Sequence, residues 1–109
     1  MPAEIEPFLL SAQAAHNLTD IYEYLAERNL QAAEKIRLEI WQAIQKIANM
    51  PLIGHSRRDL TSQPVLFWNV RNFLIIYLPD SRPIEIVAVL HGKRNLIKIL
   101  QQESSTRGE

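Results

Sequence analysis

The sequence contains no cysteine, so disulfide bonds and thiolate metal sites are excluded. It has no apolar run of about 18 residues, which a membrane-spanning helix would require. The opening stretch MPAEIEPFLL lacks a basic segment followed by a long apolar one, so we expect no signal peptide and a cytoplasmic location. Hydrophobic residues make up 47% and charged residues 22%, a balance typical of a folded globular domain.

A net charge is also absent, because twelve Lys and Arg side chains balance twelve Asp and Glu. The charges are unevenly distributed. Residues 1–50 hold four cationic against seven acidic side chains, a net −3, and residues 51–109 hold eight against five, a net +3. A protein that neutralises many phosphates is normally strongly basic. A large nucleic-acid interface is therefore disfavoured, while a small cationic patch in the second half stays open.

The first half predicts a strand followed by a helical hairpin. Residues 4–10 are predicted to be extended, and Ser11 can cap the next helix. That helix carries an apolar stripe at helical period, formed by Ala14, Leu18, Ile21, Tyr22 and Leu25. Asn29 is predicted to separate it from a second helix over about 30–50, since asparagine suits both a helix end and a cap. Pro51 ends the second helix, because the residue before proline avoids helical geometry.

The second half predicts three strands, over 64–70, 72–78 and 83–91, which are rich in β-branched and aromatic residues. Arg71-Asn72 is predicted to form a tight hairpin and PDSRP a longer turn. Strict alternation along the last strand places Ile84, Ile86, Ala88 and Leu90 on one face and Glu85, Val87, Val89 and His91 on the other.

These elements predict one α+β domain over residues 1–101, followed by a polar tail over 102–109. The order is β-α-α-β-β-β, with the N-terminal strand and two-helix hairpin packed on a small antiparallel sheet and a short C-terminal helix at NLIKILQQ. Two helices that each carry one apolar stripe need a further layer to cover them, and the sheet supplies it.

Cationic residues occur together at two places in the second half. Gly92 follows the apolar run IVAVL and His91, and it permits a turn that other residues would resist. Lys93-Arg94 are then either solvated charges or donors presented to a partner. Arg57-Arg58 lie in the loop after the second helix, where an arginine pair can grip phosphate or carboxylate. The alternative is that one of these arginines pairs with Asp59 and does nothing more.

No catalytic or metal-binding pattern accompanies these charges. The histidines His16, His55 and His91 show no metal-ligand spacing, so no metal site is predicted. The sequence also lacks a nucleophile elbow. Trp41 and Trp68 are predicted to be core or interface anchors. These residues alone predict a small α+β domain with a surface for a partner, and no particular reaction.

Four blocks of sequence, taken in order, carry a resemblance to a known family. They are DIYEYL in the first helix, PLIGHSRRDL after the second, VRNFLIIY in the hairpin and IVAVLHGKRNL at the end. Over about residues 5–100 the sequence resembles the RelE/ParE superfamily of toxins from type II toxin–antitoxin systems. The resemblance implies a small antiparallel sheet packed on a helical hairpin, in agreement with the elements predicted above.

That superfamily has two functional classes. RelE-like members are ribosome-dependent mRNA endonucleases, whereas ParE-like members bind DNA gyrase, trap it and block replication. The I-x-x-V-L-H-G-x-R block resembles the ParE-like branch. The neutral charge agrees, as does the lack of a Lys, Arg and terminal Tyr or His cluster for RNA cleavage. A RelE-like ribonuclease and a degenerate, non-toxic homologue are the alternatives.

The resemblance implies two binding sites and no cofactor. The target-binding site for gyrase is predicted at His91, Gly92, Lys93, Arg94, Arg57 and Arg58. A cognate antitoxin is expected to cover apolar residues of the outer sheet face and the hairpin groove, at Trp41, Trp68, Tyr77, Val87 and Val89. In the RelE-like alternative the catalytic residues would be Arg57, Arg71, His91 and Arg94. Direct nucleic-acid binding is left open, and no membrane partner is predicted.

Overall fold

The computed structural model describes residues 7–92, which form two helices, a short 3-10 turn and four strands. In chain order these are β1 (Phe8–Leu10), α1 (Ala12–Arg28), α2 (Leu30–Asn49), the 3-10 turn (Pro51–Ile53), β2 (Leu66–Val70), β3 (Phe73–Leu78) and β4 (Ile84–His91). This order confirms the predicted α+β class. The predicted last helix and polar tail lie outside the described residues. Within residues 7–92, neither helix is long and apolar enough to cross a membrane.

The helices begin and end at the residues that the capping and helix-breaking side chains of the sequence predict. The Ser11 hydroxyl accepts a hydrogen bond from the Ala14 N–H at 2.9 Å and caps α1. Asn29 ends α1 and caps α2, since its Oδ1 accepts from the Ala32 N–H at 3.0 Å. Helix α2 ends at Asn49, because Met50 precedes Pro51 and a residue before proline avoids helical geometry. Three cap and breaker residues therefore set the hairpin.

The strands form one mixed sheet in the order β1-β4-β3-β2. Strand β2 pairs antiparallel with β3, and β3 pairs antiparallel with β4, whereas β1 pairs in parallel with β4. The tight turn predicted at Arg71-Asn72 joins β2 to β3 and has Val70 opposite Phe73. At the same end of the sheet, Phe73 lies opposite His91. The turn and the end of β4 are consequently neighbours.

The core has a cluster on each face of the sheet. The larger cluster lies between the sheet and the helices and includes Ile40, Ile44 and Ile47 from α2 with Tyr77 and Ile86 from the strands. The smaller cluster, on the opposite face, is formed by Val65, Phe67, Leu74, Ile76, Ala88 and Leu90. Burial on both faces explains why β3 and β4 are almost continuously apolar.

The predicted alternation along β4 is wrong beyond Ile86. Tyr77 lies opposite Ile86 but Ile76 lies opposite Ala88, so β4 has one extra residue, Val87, at a β-bulge. Side chains after the bulge change face. Val89 therefore joins Ile84 and Ile86 in the larger cluster, while Ala88 and Leu90 lie in the smaller one.

Helix α1 satisfies the backbone groups around the bulge. The Ser11 hydroxyl donates to the Val87 carbonyl at 2.7 Å, and the Asn17 Oδ1 accepts from the Val89 N–H at 3.1 Å. The Ser11 N–H also donates to the Ile86 carbonyl at 3.0 Å. Because buried backbone groups need partners, these polar side chains fix α1 on β4.

Candidate functional site

The end of β4 is held against the turn between β2 and β3. The Gly92 N–H donates to the Asn72 carbonyl at 3.0 Å, and the His91 and Phe73 rings lie 4.8 Å apart between centroids. Gly92 has φ +80°, a conformation that glycine adopts without steric cost. The predicted turn at Gly92 is thus present, and Lys93-Arg94 lie immediately beyond the described residues.

His91 is exposed and borders a small cleft against α1. The cleft has a volume of ≈ 170 Å³ and is lined by Asp20, Ile21, Tyr24, Leu25, Phe73 and His91. Within residues 7–92, no group of three or more His, Asp or Glu side chains could hold a metal ion. The lining of the cleft thus combines one imidazole, of His91, and one carboxylate, of Asp20, with apolar and aromatic side chains.

The arginine pair lies on a loop at the other side of the sheet. His55 bridges to Phe67 of the edge strand β2, so the Arg57-Arg58 loop joins the sheet two strands away from β4. The Arg57 guanidinium donates to both Asp59 carboxylate oxygens, at 3.0 and 2.9 Å, and this pairing raises the pKa of Arg57. The local pairing considered from the sequence is therefore present. Arg58 is exposed.

Arg71 is also engaged by a carboxylate. Its guanidinium donates two hydrogen bonds to Glu39 of α2, one of them from Nη2 to Oε2 at 2.9 Å and the other from Nε to Oε1. The hydrogen bond from Arg71 is the main reason that the pKa of Glu39 is lowered. Sequence reasoning missed Glu39, because 32 residues separate it from Arg71. Two of the four candidates for RNA cleavage are thus committed to carboxylates.

A larger apolar groove opens between α1 and α2, with a volume of ≈ 450 Å³. Its apolar lining is formed mainly by Leu18, Ile21, Leu25, Ile36, Ile40, Trp41 and Ile44. Trp41 is 46% exposed and contacts the Phe8 ring edge-on, with centroids 5.2 Å apart. In the sequence, the groove corresponds to the apolar stripes of α1 and α2, which the sheet covers only in part.

A polar network lies beside this groove. The Tyr22 hydroxyl donates to Glu34 Oε2 at 2.5 Å, and Arg37 donates to Glu34 Oε1 at 2.7 Å. The hydrogen bond from Tyr22 is the largest cause of the lowered Glu34 pKa, and the same bond raises the pKa of Tyr22. The groove therefore combines an apolar floor with a charged and hydrogen-bonding margin.

The residues predicted to bind the antitoxin are not on one surface. Trp41 lines the groove, and Trp68 is half-buried on β2 with the His55 ring stacked on it at 6.1 Å. Val87 is half-buried on the opposite side of the sheet, against the smaller cluster. Tyr77 and Val89 are 0% and 1% exposed, because the bulge and the sheet direct both into the core. They offer a partner no surface in this structure.

Tyr77 has a structural role that the sequence did not reveal. Its hydroxyl donates to the Pro51 carbonyl at 2.6 Å and accepts from the Gly54 N–H at 2.9 Å. Burial raises the pKa of Tyr77. A Cβ at Gly54 would lie 2.6 Å from the tyrosine oxygen, so glycine allows this close approach. The tyrosine fixes the turn that precedes the Arg57-Arg58 loop.

Comparison with known proteins decides the family. Residues 8–96 match the family described as the ParE toxin of the type II toxin–antitoxin system parDE. The chain belongs to the ParE toxin family. A solved chain of the chromosomal ParDE toxin–antitoxin system from P. aeruginosa shares the fold of this ParE-family chain, with a TM-score of 0.67 and 15% sequence identity. The match covers 83% of this chain and 99% of that one. No curated protein matches the chain.

Proposed function

We propose that this ParE-family toxin acts in the cytoplasm by binding and poisoning DNA gyrase, and that a cognate antitoxin neutralises it. The observation that carries the choice of target is the pairing of arginines with carboxylates. Arg57 binds Asp59 and Arg71 binds Glu39, each through two hydrogen bonds. Membership of the ParE family supports the same reading.

RNA cleavage would make different demands on these side chains. A ribonuclease must deprotonate a 2′-OH, stabilise charge on the phosphate and protonate the leaving oxygen. A guanidinium that already donates two hydrogen bonds to a carboxylate has a weaker field for a phosphate, because its charge is neutralised nearby. Of the described candidates for cleavage, only His91 is not paired in this way. Binding to a protein target is therefore favoured over the RelE-like alternative.

The end of β4 is the proposed contact with gyrase. His91 and Gly92 are exposed there, and Lys93-Arg94 follow in sequence. Arg58 adds an exposed cation on the other side of the sheet. The mechanism is binding: a toxin that prefers gyrase with cleaved DNA shifts the enzyme toward that state.

Supercoiling of a relaxed plasmid by purified gyrase with ATP tests the target. We expect the wild-type chain to reduce supercoiling and to accumulate cleaved plasmid as its concentration rises. Unchanged supercoiling by the folded protein would contradict the gyrase proposal. Cleavage of mRNA on translating ribosomes in a parallel assay would instead establish the RelE-like activity.

Charge reversal separates the proposed contact from a general charge effect. The variants Lys93→Glu and Arg94→Glu should lose poisoning. Arg82→Glu makes the same change in the turn between β3 and β4, at the opposite end of the sheet, and should retain it. Full poisoning by the Lys93 and Arg94 variants would remove them from the site.

The antitoxin is proposed to place an amphipathic helix in the groove between α1 and α2. The apolar floor suits one face of such a helix, and Glu23 offers a charge at the margin. Ile21 and Leu25 line both this groove and the cleft beside His91. A helix in the groove would therefore lie next to the proposed gyrase contact, which supports neutralisation by covering it.

A further inference from the structure

Arg71 has a backbone conformation that its side chain does not favour. Its φ is +55°, and among residues 7–92 no other residue except glycine has a positive φ. Glycine or asparagine is usual in this region, because a Cβ crowds the backbone there. A strained residue persists only where its surroundings hold it, so the contacts of Arg71 need an explanation.

The two-residue hairpin turn that places Val70 opposite Phe73 favours a positive φ at Arg71, and the pair with Glu39 described above holds its side chain. This pair joins the middle of α2 to the turn between β2 and β3. The planar guanidinium presents two parallel donors to one carboxylate, a geometry that lysine cannot reproduce. Arg71 is therefore suited to fixing the turn, although its backbone is strained.

The turn between β2 and β3 also holds the end of β4. The Asn72 carbonyl accepts the Gly92 N–H at 3.0 Å, and the Phe73 ring packs beside His91. Gly92 has the second positive φ at this end of the sheet. The position of Gly92, the last described residue, thus depends on where the turn lies.

From this chain of contacts we infer that Arg71 is a positioning residue. Its pair with Glu39 fixes the turn, and the turn fixes the hydrogen bond that holds Gly92, the residue that precedes the proposed gyrase contact Lys93-Arg94 in sequence. The importance of the position of Gly92 for poisoning rests on the proposed function. The effect on Gly92 does not, and it can be measured without gyrase.

Amide hydrogen exchange by NMR tests the link in the free protein. Glu39→Gln removes the charge and keeps the shape, and Arg71→Lys keeps the charge and removes the fork. In both variants we expect the Gly92 amide to exchange faster by roughly two- to fivefold, with β3 amides unchanged. Unchanged Gly92 exchange in both variants would overturn the inference.

Arg71→Gly distinguishes positioning from simple relief of strain. Glycine adopts φ +55° freely, so the melting temperature of Arg71→Gly should be no lower than that of Glu39→Gln. Because Arg71→Gly also lacks the pair with Glu39, its Gly92 amide should exchange as fast as in Glu39→Gln. A Gly92 amide as protected as in the wild type would show that the pair is dispensable.

The matched control is Glu34→Gln, which breaks another ion pair on α2, that between Glu34 and Arg37. It should leave Gly92 exchange unchanged, and equal acceleration would overturn the inference. Gyrase poisoning by Glu39→Gln should also fall, and poisoning equal to the wild type would remove the role in target binding. If the wild type itself does not poison gyrase, the proposed function fails while the exchange result still decides the positioning.

Discussion

At the scale of single residues, Tyr77 combines a buried ring with a hydroxyl that makes two hydrogen bonds. It is fully buried on β3, and its hydroxyl contacts two backbone groups of the turn after α2. Tyr77→Phe would leave the Pro51 carbonyl and the Gly54 N–H without this partner. We expect a loss of about 1–3 kcal/mol in the free energy of unfolding, measured by chemical denaturation.

The control for this change is Tyr24→Phe. Tyr24 is half-exposed on α1, and Arg28 stacks over its ring at 3.8 Å, a contact that phenylalanine keeps. We expect an effect within about 0.5 kcal/mol. Equal destabilisation by the two variants would mean that the Tyr77 hydroxyl contributes nothing specific.

The pair of Glu39 and Arg71 predicts a dependence of stability on pH. The pKa of Glu39 is lowered in the folded protein, chiefly by the hydrogen bond from Arg71. A group with a lowered folded pKa stabilises the protein above its unfolded pKa, and this contribution is lost as the pH falls through the folded value. The difference in melting temperature between the wild type and Glu39→Gln should therefore be largest near neutral pH and shrink progressively as the pH falls below about 4.3, the ordinary pKa of glutamate. A constant difference would contradict the assignment.

At the scale of the elements, the packing of α1 on β4 depends on two polar side chains, those of Ser11 and Asn17. Asn17 satisfies the Val89 N–H, and Val89 is 1% exposed. Asn17→Ala would leave that buried donor without a partner, so we expect a loss of about 1–3 kcal/mol in unfolding free energy. Denaturant titration would measure it.

Asn49→Ala is the matched control, because Asn49 is exposed at the end of α2 and its side chain donates within its own helix, to the Gln45 carbonyl. We expect a change within about 0.5 kcal/mol. If Asn17→Ala were as mild, solvent would be satisfying the bulge in place of the asparagine.

The same elements show what a sequence can predict. Ser11, Asn29 and Pro51 act on their own neighbours, so the helix ends followed from local chemistry. The bulge at Val87 did not follow, because an apolar strand reads the same with or without an extra residue. The polar groups that satisfy the backbone at the bulge belong to Ser11 and Asn17, more than 70 residues earlier in the chain.

At the scale of the whole molecule, the sites depend on contacts between distant segments. Arg57 and Asp59 are two residues apart, and their pairing was one of the alternatives drawn from the sequence. Glu39 and Arg71 are brought together only by the packing of α2 on the sheet. The helix stripes predicted apolar faces, but not which part of them the sheet would leave open as a groove.

That groove makes the last prediction, which concerns the antitoxin. Trp41 is large and half-exposed, and it lines the groove. Aromatic side chains in such positions often contribute most of the binding energy of a protein interface. Trp41→Ala should weaken binding of the proposed cognate antitoxin by roughly 30-fold or more, measured by calorimetry. Thermal unfolding of the variant would verify that it is folded.

Leu38→Ala provides the control on the same helix. Leu38 is 53% exposed, comparable with Trp41, but it does not line the groove. Because exposed apolar side chains outside an interface contribute little to it, the affinity should stay within roughly twofold of the wild type. If both variants bind as tightly as the wild type, the antitoxin occupies another surface. If Leu38→Ala loses as much as Trp41→Ala, the contact follows the outer face of α2 and the groove is not its centre.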